Sequence, residues 1–181
     1  MMFKGRDEAV LHYRALRKSV NGHLAGALKY LKKQALMDAA HYLGITSDVN
    51  TIASNFDEMQ LACDVVVFGK KHDERLRAID RYARQQSFPE GSMGAITLSA
   101  LLNEIFCIIE VKRSHEIAGL VVEDINRKSE MWLMDDGFEA TASPGLILGA
   151  RIVQPTEFCM TAGGAIRLSQ VSQVDRLAHY M

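Results

Sequence analysis

Residues 105–112 read IFCIIEVK, and the period of the sequence changes at this point. Upstream of residue 104, apolar side chains recur every three or four residues, the spacing that places them on one helix face. From Ile105 onward, β-branched and aromatic residues alternate with polar ones between turn signals, the period of two that a half-buried strand requires. Helices first and strands second predict an α+β chain. It divides into a helical domain over 1–103, a small β-barrel domain over 104–170 and a C-terminal tail over 171–181.

Six strands are expected: IFCIIEVK (105–112), GLVVEDI (119–125), EMWLMD (130–135), LILGARIV (146–153), EFCMT (157–161) and AIRLS (165–169). Their separators are residues that bend the backbone: Asn126-Arg127-Lys128, Asp135-Asp136-Gly137, Pro144-Gly145, Gln154-Pro155 and Gly163-Gly164. Strands this short and closely spaced are enough for a small antiparallel barrel or sandwich, of which the barrel is the reading adopted. The connection containing FEATASPG (138–145) reads as a loop. The strand after Pro144-Gly145 and the GLVVEDI segment resemble, in size alone, an SH3- or OB-type barrel, a likeness from which no function follows.

In the helical half, Ala9, Tyr13, Leu16, Val20, Leu24, Ala27 and Leu31 share one face of a helix that starts near Asp7. A second helix begins around Lys33 and stops at Gly44. Ser54-Asn55-Phe56-Asp57 has capping-box form and opens the apolar helix FDEMQLACDVVVF, which Gly69 ends. HDERLRAIDRYARQQ predicts a charged surface helix with Leu76, Ile79 and Ala83 inward, and Met93 to Asn103 one more. About five helices result, expected to pack as a bundle.

The stretch LMDAAHYLGITSDVNTIASNF (36–56) invites comparison with a DNA-reading helix-turn-helix, because Ala40 and Gly44 stand four residues apart in a turn. The second helix of that motif buries the sixth and ninth residues after the glycine. Here these are Asn50 and Ala53, with the apolar Val49 and Ile52 one position out. From Gln34 to Gly69 there is no Lys or Arg, against Asp38, Asp48, Asp57, Glu58 and Asp64, a composition a phosphate backbone repels. An ordinary corner between packed helices is the reading adopted.

Residues 1–33 carry eight Lys/Arg against Asp7 and Glu8, a net of +6. Arg14, Arg17, Lys18, Lys29, Lys32 and Lys33 lie off the apolar stripe and are the candidate contacts for a polyanion or an acidic partner. Pairing with the acidic 34–69 segment explains the same stripe equally well. Over the whole chain the net charge is −1, which argues against a general nucleic-acid binder.

No cofactor or metal pattern emerges. The six histidines include no HxxxH or HExxH pair, and there is no Cys-x-x-Cys, P-loop, G-x-G-x-x-G or G-x-S-x-G. His72-Asp73-Glu74 reads as a helix start, where carboxylates favour the positive end of the dipole. Glu123-Asp124 and Asp135-Asp136 sit at strand ends, where Asp bonds its own backbone; Asp124 and Asp135 flank one expected hairpin, and their convergence with a histidine would indicate an acid–base site. Cys63, Cys107 and Cys159 lie among apolar neighbours and read as buried, reduced thiols. Trp132 is the single tryptophan, in the run Met131-Trp132-Leu133-Met134 that is apolar on both faces, and is the candidate partner contact.

The N-terminal MMFKGRDEAVLHYR has no apolar core of a secretory signal, and the longest uncharged run, 91–103, is 13 residues, shorter than a spanning helix of about 20. These features predict a cytoplasmic chain without membrane contact. The first expectation is a non-enzymatic binding or regulatory module that meets another protein or a second copy of itself. The alternative is nucleic-acid binding through the basic helix and the barrel face, and an enzyme with an acidic site at the strand ends is the weakest of the three.

Overall fold

The change of period at residue 104 is a change of element. The structure is a computed structural model and describes residues 3–31, 33–42, 56–69 and 76–168. In order, these form α1 (Arg6–Leu28), α2 (Lys33–Tyr42), α3 (Phe56–Phe68), α4 (Ala78–Ala83), α5 (Met93–Leu102), β1 (Ile105–Ser114), β2 (Leu120–Asp124), β3 (Ser129–Leu133), α6 (Asp136–Thr141), β4 (Ile147–Val153) and β5 (Met160–Arg167). The chain is α+β, with helices followed by one antiparallel sheet. The corner between α2 and α3 (43–55), including the Ser54 cap, lies outside the described residues, as do His72-Asp73-Glu74 and the tail 171–181.

β1 is central because both of its neighbours come from downstream: β2 pairs on one side and β4 on the other, in the order β3-β2-β1-β4-β5. Its alternation places Cys107, Ile109 and Val111 in the interior. Among the described residues the sheet has five strands and does not close into a barrel, a correction to the six expected. The edge strands meet at one end only, where Leu133 and Cys159 form a parallel bridge: Met134 N–H donates to Cys159 O and Cys159 N–H to Trp132 O, each at 2.8 Å.

Two expectations fail for identifiable reasons. Gly163-Gly164 was read as a turn, yet both residues lie inside β5. The left-handed glycines are Gly91, Gly119 and Gly145 instead. Gly163 serves close approach: a Cβ there would stand 3.0 Å from Asp64 Oδ1 on α3, which packs across β5. The supposed loop after Gly137 begins with α6. Asp135 caps it, its Oδ1 accepting from Gly137 N–H at 3.1 Å and Phe138 N–H at 3.2 Å.

One apolar cluster lies inside the curved sheet, where Ile109, Val122, Leu133, Leu148 and Ile152 meet and Phe138 and Ala142 of α6 pack against them. A second, larger one joins helices to sheet. Tyr13, Leu16 and Val20 of α1, Ile79 of α4 and Leu101 of α5 share it with Val153, Phe158, Met160 and Ala162. Phe158 is fully buried, and its removal from water contributes about 2–3 kcal/mol. α1 packs against α4 and α5, whereas α2 packs on α3.

Candidate binding surfaces

The basic face of α1 is turned largely onto α6. Arg6 pairs with Glu139, Arg14 Nε with Asp136 Oδ2 at 3.1 Å, and Arg17 Nη2 with Asp135 Oδ2 at 3.0 Å. The three acids are the N-cap and first turn of α6, where negative charge also suits the helix dipole. The Arg6 and Arg14 pairs are exposed and contribute little. Arg17 differs: it is largely buried, donates from Nη2 to Thr161 Oγ1 at 2.9 Å, from Nη1 to Thr161 O and from Nε to Tyr13 OH at 3.2 Å. Thr161 in turn donates its hydroxyl to Asp135 Oδ2 at 2.8 Å. Burial raises the Tyr13 phenol above its ordinary value although Arg17 opposes this.

Of the six cations singled out in the sequence, Arg14 and Arg17 are therefore engaged within the fold, while Lys18 and Lys29 are exposed. Lys32 and the side chain of Lys33 lie outside the described residues. In the acidic 34–69 segment, Asp38 accepts from Gln34 at 2.9 Å and Asp64 is held by Arg151 of β4. The partner of the arginines is an acidic helix start that the sequence reading took for a turn.

Trp132 is enclosed by its own chain. Its indole N–H donates to Ala118 O at 2.7 Å, His115 stacks on it, and Phe3 and Phe158 present edges to it at 6.0 and 5.4 Å between centroids. Gly119, at φ 75°, makes this possible, because a Cβ there would stand 2.4 Å from Leu133 O. The aromatic surface that suggested a partner contact is largely occupied.

Asp124 and Asp135 do not converge. In the β2–β3 register Asp124 faces Ser129 while Leu120 faces Leu133, so the two acids lie at opposite ends of the hairpin, roughly 15 Å apart by strand rise. Asp124 caps the turn, accepting from Asn126 N–H and Arg127 N–H, and pairs with Arg127 Nη1 at 2.6 Å. Burial opposes its ionisation, but those donors hold its carboxyl below the ordinary value. The cysteines are free thiols; burial pushes Cys107 and Cys159 up to about 12, which disfavours the reactive thiolate. Among the described residues, no group of three or more His, Cys, Asp or Glu side chains is placed to hold a metal ion. No helix there is long and apolar enough to cross a membrane.

Three features escaped sequence reasoning. Arg151, Asp64, Glu104, Arg77 and Asp80 form a nearly dry ion cluster. Its signals were a lone arginine in LILGARIV and a lone aspartate in ACDVVVF. His23 is 4% exposed, with Nδ1 3.0 Å from Tyr82 OH and Nε2 3.0 Å from both Gly94 O and Thr97 Oγ1. Because a carbonyl only accepts, Nε2 carries the hydrogen and Nδ1 accepts from the tyrosine. Its signal was a histidine on the apolar stripe of α1.

The third feature is a shallow groove of about 380 Å³ between α5 and the β4–β5 loop. Ala95, Ile96 and Pro155 supply apolar walls, and Ser99, Asn103 and Gln154 supply uncharged polar atoms. α5, MGAITLSALL, contains no charged residue, so part of an apolar helix borders solvent here.

No curated protein and no solved structure matches the chain. Residues 7–173 match the family of unknown function DUF7986, and the chain belongs to that family.

Proposed function

We propose that this chain is a non-enzymatic binding module that seats a short, uncharged, apolar segment of a partner protein in the groove beside α5. The single observation that carries the reading is the groove itself: its lining mixes apolar walls with uncharged hydrogen-bonding groups, the chemistry that accepts a peptide backbone and apolar side chains. The strand arrangement bears on it by position: β4 and β5 are neighbours in the order β3-β2-β1-β4-β5, and the β4–β5 loop borders the groove. Gln154 and Pro155 belong to that loop. Free cysteines, two of them buried, fit a reducing cytoplasmic setting.

The nucleic-acid alternative draws less support. Glu110, Glu123 and Glu130 lie across β1, β2 and β3, paired with Lys112 and Arg113, so this face offers no surplus of cations for phosphate. Lys18 on α1 and Lys29 at its C-cap remain as its exposed candidates.

The test is a random-peptide display selection against the full chain, followed by binding to Ser99→Arg, which changes an exposed residue at the groove. Enrichment of uncharged apolar peptides, with affinity lost in Ser99→Arg, is expected. The reading is overturned if selected peptides bind the variant as tightly. It is also overturned if the chain instead binds single-stranded oligonucleotides at low salt and loses them on replacing Lys18 and Lys29 by Ala.

A further inference from the structure

Asp64 lies near the C-terminal end of α3, in the middle of an apolar run, with its side chain 4% exposed. Its Oδ2 accepts from Arg151 Nε at 2.9 Å, whereas its Oδ1 is buried with no hydrogen-bond donor. That unpartnered oxygen is pressed onto β5 at Gly163, the position where a Cβ would stand 3.0 Å away. Arg151 also donates from Nη1 to Glu104 Oε2 at 2.7 Å, and Glu104 Oε1 accepts from Arg77 Nη1 at 2.9 Å. Arg77 continues the chain to Asp80 and to Leu102 O, each at 2.8 Å. One network therefore ties α3 to β4, to the start of α4 and to the junction between α5 and β1.

With all groups ionised the Arg151 guanidinium faces two carboxylates, Asp64 and Glu104, an excess of one negative charge around it. Within a poorly hydrated interior that excess is costly. Asp64 is the carboxyl with a bare oxygen, and the groups facing it are Arg151 from β4 and Glu104 from the β1 side, with the Cys63 thiol beside it on α3. From β5 it meets backbone at Gly163. α2, also packed on α3, carries Asp38 and His41, and Asp38 accepts from Gln34.

We propose that Asp64 is a proton-operated latch that sets how firmly α3 is seated on the sheet. With the proton bound, that excess is gone and α3 lies flat over Gly163. When the proton leaves, the bare oxygen carries charge against the β5 backbone, and water reaches it only if α3 lifts. Burial pushes Asp64 up to about 6 although Arg151 pulls the other way. Its folded value stands above the ordinary 3.8, so the contribution to seating is full below the ordinary value and is lost as pH rises through about 6.

Hydrogen exchange of the full chain at pH 5 and pH 8, corrected for intrinsic rates, reads the latch directly. Protection of 60–68 is expected to fall on the order of tenfold from the lower to the higher pH, with β1 unchanged. Asp64→Asn, which keeps the shape and cannot ionise, is expected to show equal protection at both. Glu104→Gln removes the excess charge elsewhere and is expected to move the midpoint of the wild-type change to lower pH. Protection that does not change with pH in the wild type overturns the proposal. So does a wild-type pH dependence retained in Asp64→Asn, or, where that variant does not fold, an unmoved midpoint in Glu104→Gln.

Discussion

His115 lies face to face with Trp132, ring centroids 4.1 Å apart and planes 8° from parallel. The histidine's Nδ1 accepts from Ile117 N–H at 3.2 Å, which fixes the ring over the indole. Burial lowers the imidazole below its ordinary 6.5, Arg113 adding to this and Glu116 opposing it. Trp132 is the only tryptophan, so indole fluorescence reports this one contact. An imidazolium accepts an electron from excited indole more readily than neutral imidazole does. We therefore expect emission to fall as pH is lowered, with a midpoint below 6.5, and the titration to vanish in His115→Phe. A midpoint at or above the ordinary histidine value would contradict the stacked, desolvated geometry.

Arg17 and Arg14 stand on the same helix and both pair with the start of α6, but their costs of removal should differ. Arg17→Ala strips donors from Asp135, from both oxygens of Thr161 and from Tyr13, and leaves a largely buried carboxylate uncompensated. The expected loss is about 2–4 kcal/mol, read as a lower urea midpoint. Arg17→Lys should recover less than half of it, because an ammonium cannot reach Asp135 and Thr161 together as a guanidinium fork does. Arg14→Ala, whose pair is exposed, should leave the midpoint near that of the wild type.

His23 should make stability depend on pH in the sense opposite to Asp64. Burial lowers its imidazole below 6.5, and the Gly94 carbonyl only partly offsets this. The unfolded chain takes up a proton below that value while the folded one resists, so the contribution of His23 is present above 6.5 and declines as pH falls below it. Urea midpoints between pH 5 and 8 for the wild type and His23→Gln should differ most at the high end and converge toward pH 5. The loss of its hydrogen bonds is expected to cost about 1–3 kcal/mol at pH 8. A gap that does not change with pH would show that His23 titrates alike in both states.

Much of the architecture was legible because it follows from period. The stripe from Ala9 to Ala27 named the buried face of α1, and the alternation in IFCIIEVK named the strand that became the centre of the sheet. What misled was chemistry shared by two structures. An aspartate that accepts from backbone N–H groups two and three residues ahead marks a turn and a helix N-cap equally. Only the inward packing of Phe138 and Ala142 makes Asp135 the latter. Paired glycines likewise mark a hairpin or a strand on which a helix lies close, and Asp64 decides for the second. The ion cluster was not legible, although Asp64 and Arg151 each stand alone among apolar neighbours. Their pairing spans 87 residues, and no local pattern joins them. The groove was not legible at all, because α5 and Pro155 read as one more helix and a turn.

The bonds of Arg17 have a consequence for the order in which the molecule assembles. Its acceptors lie 118 residues away at Asp135 and 144 away at Thr161. During synthesis the first helix therefore leaves the ribosome long before the groups that neutralise its buried cation exist. Its apolar face packs on α4 and α5, which are made before the sheet, but Arg17 lacks its long-range acceptors until Asp135 and Thr161 follow. A chain halted before Thr161 would thus carry Arg17 without that acceptor, while the apolar face of α1 already has α4 and α5 to pack on.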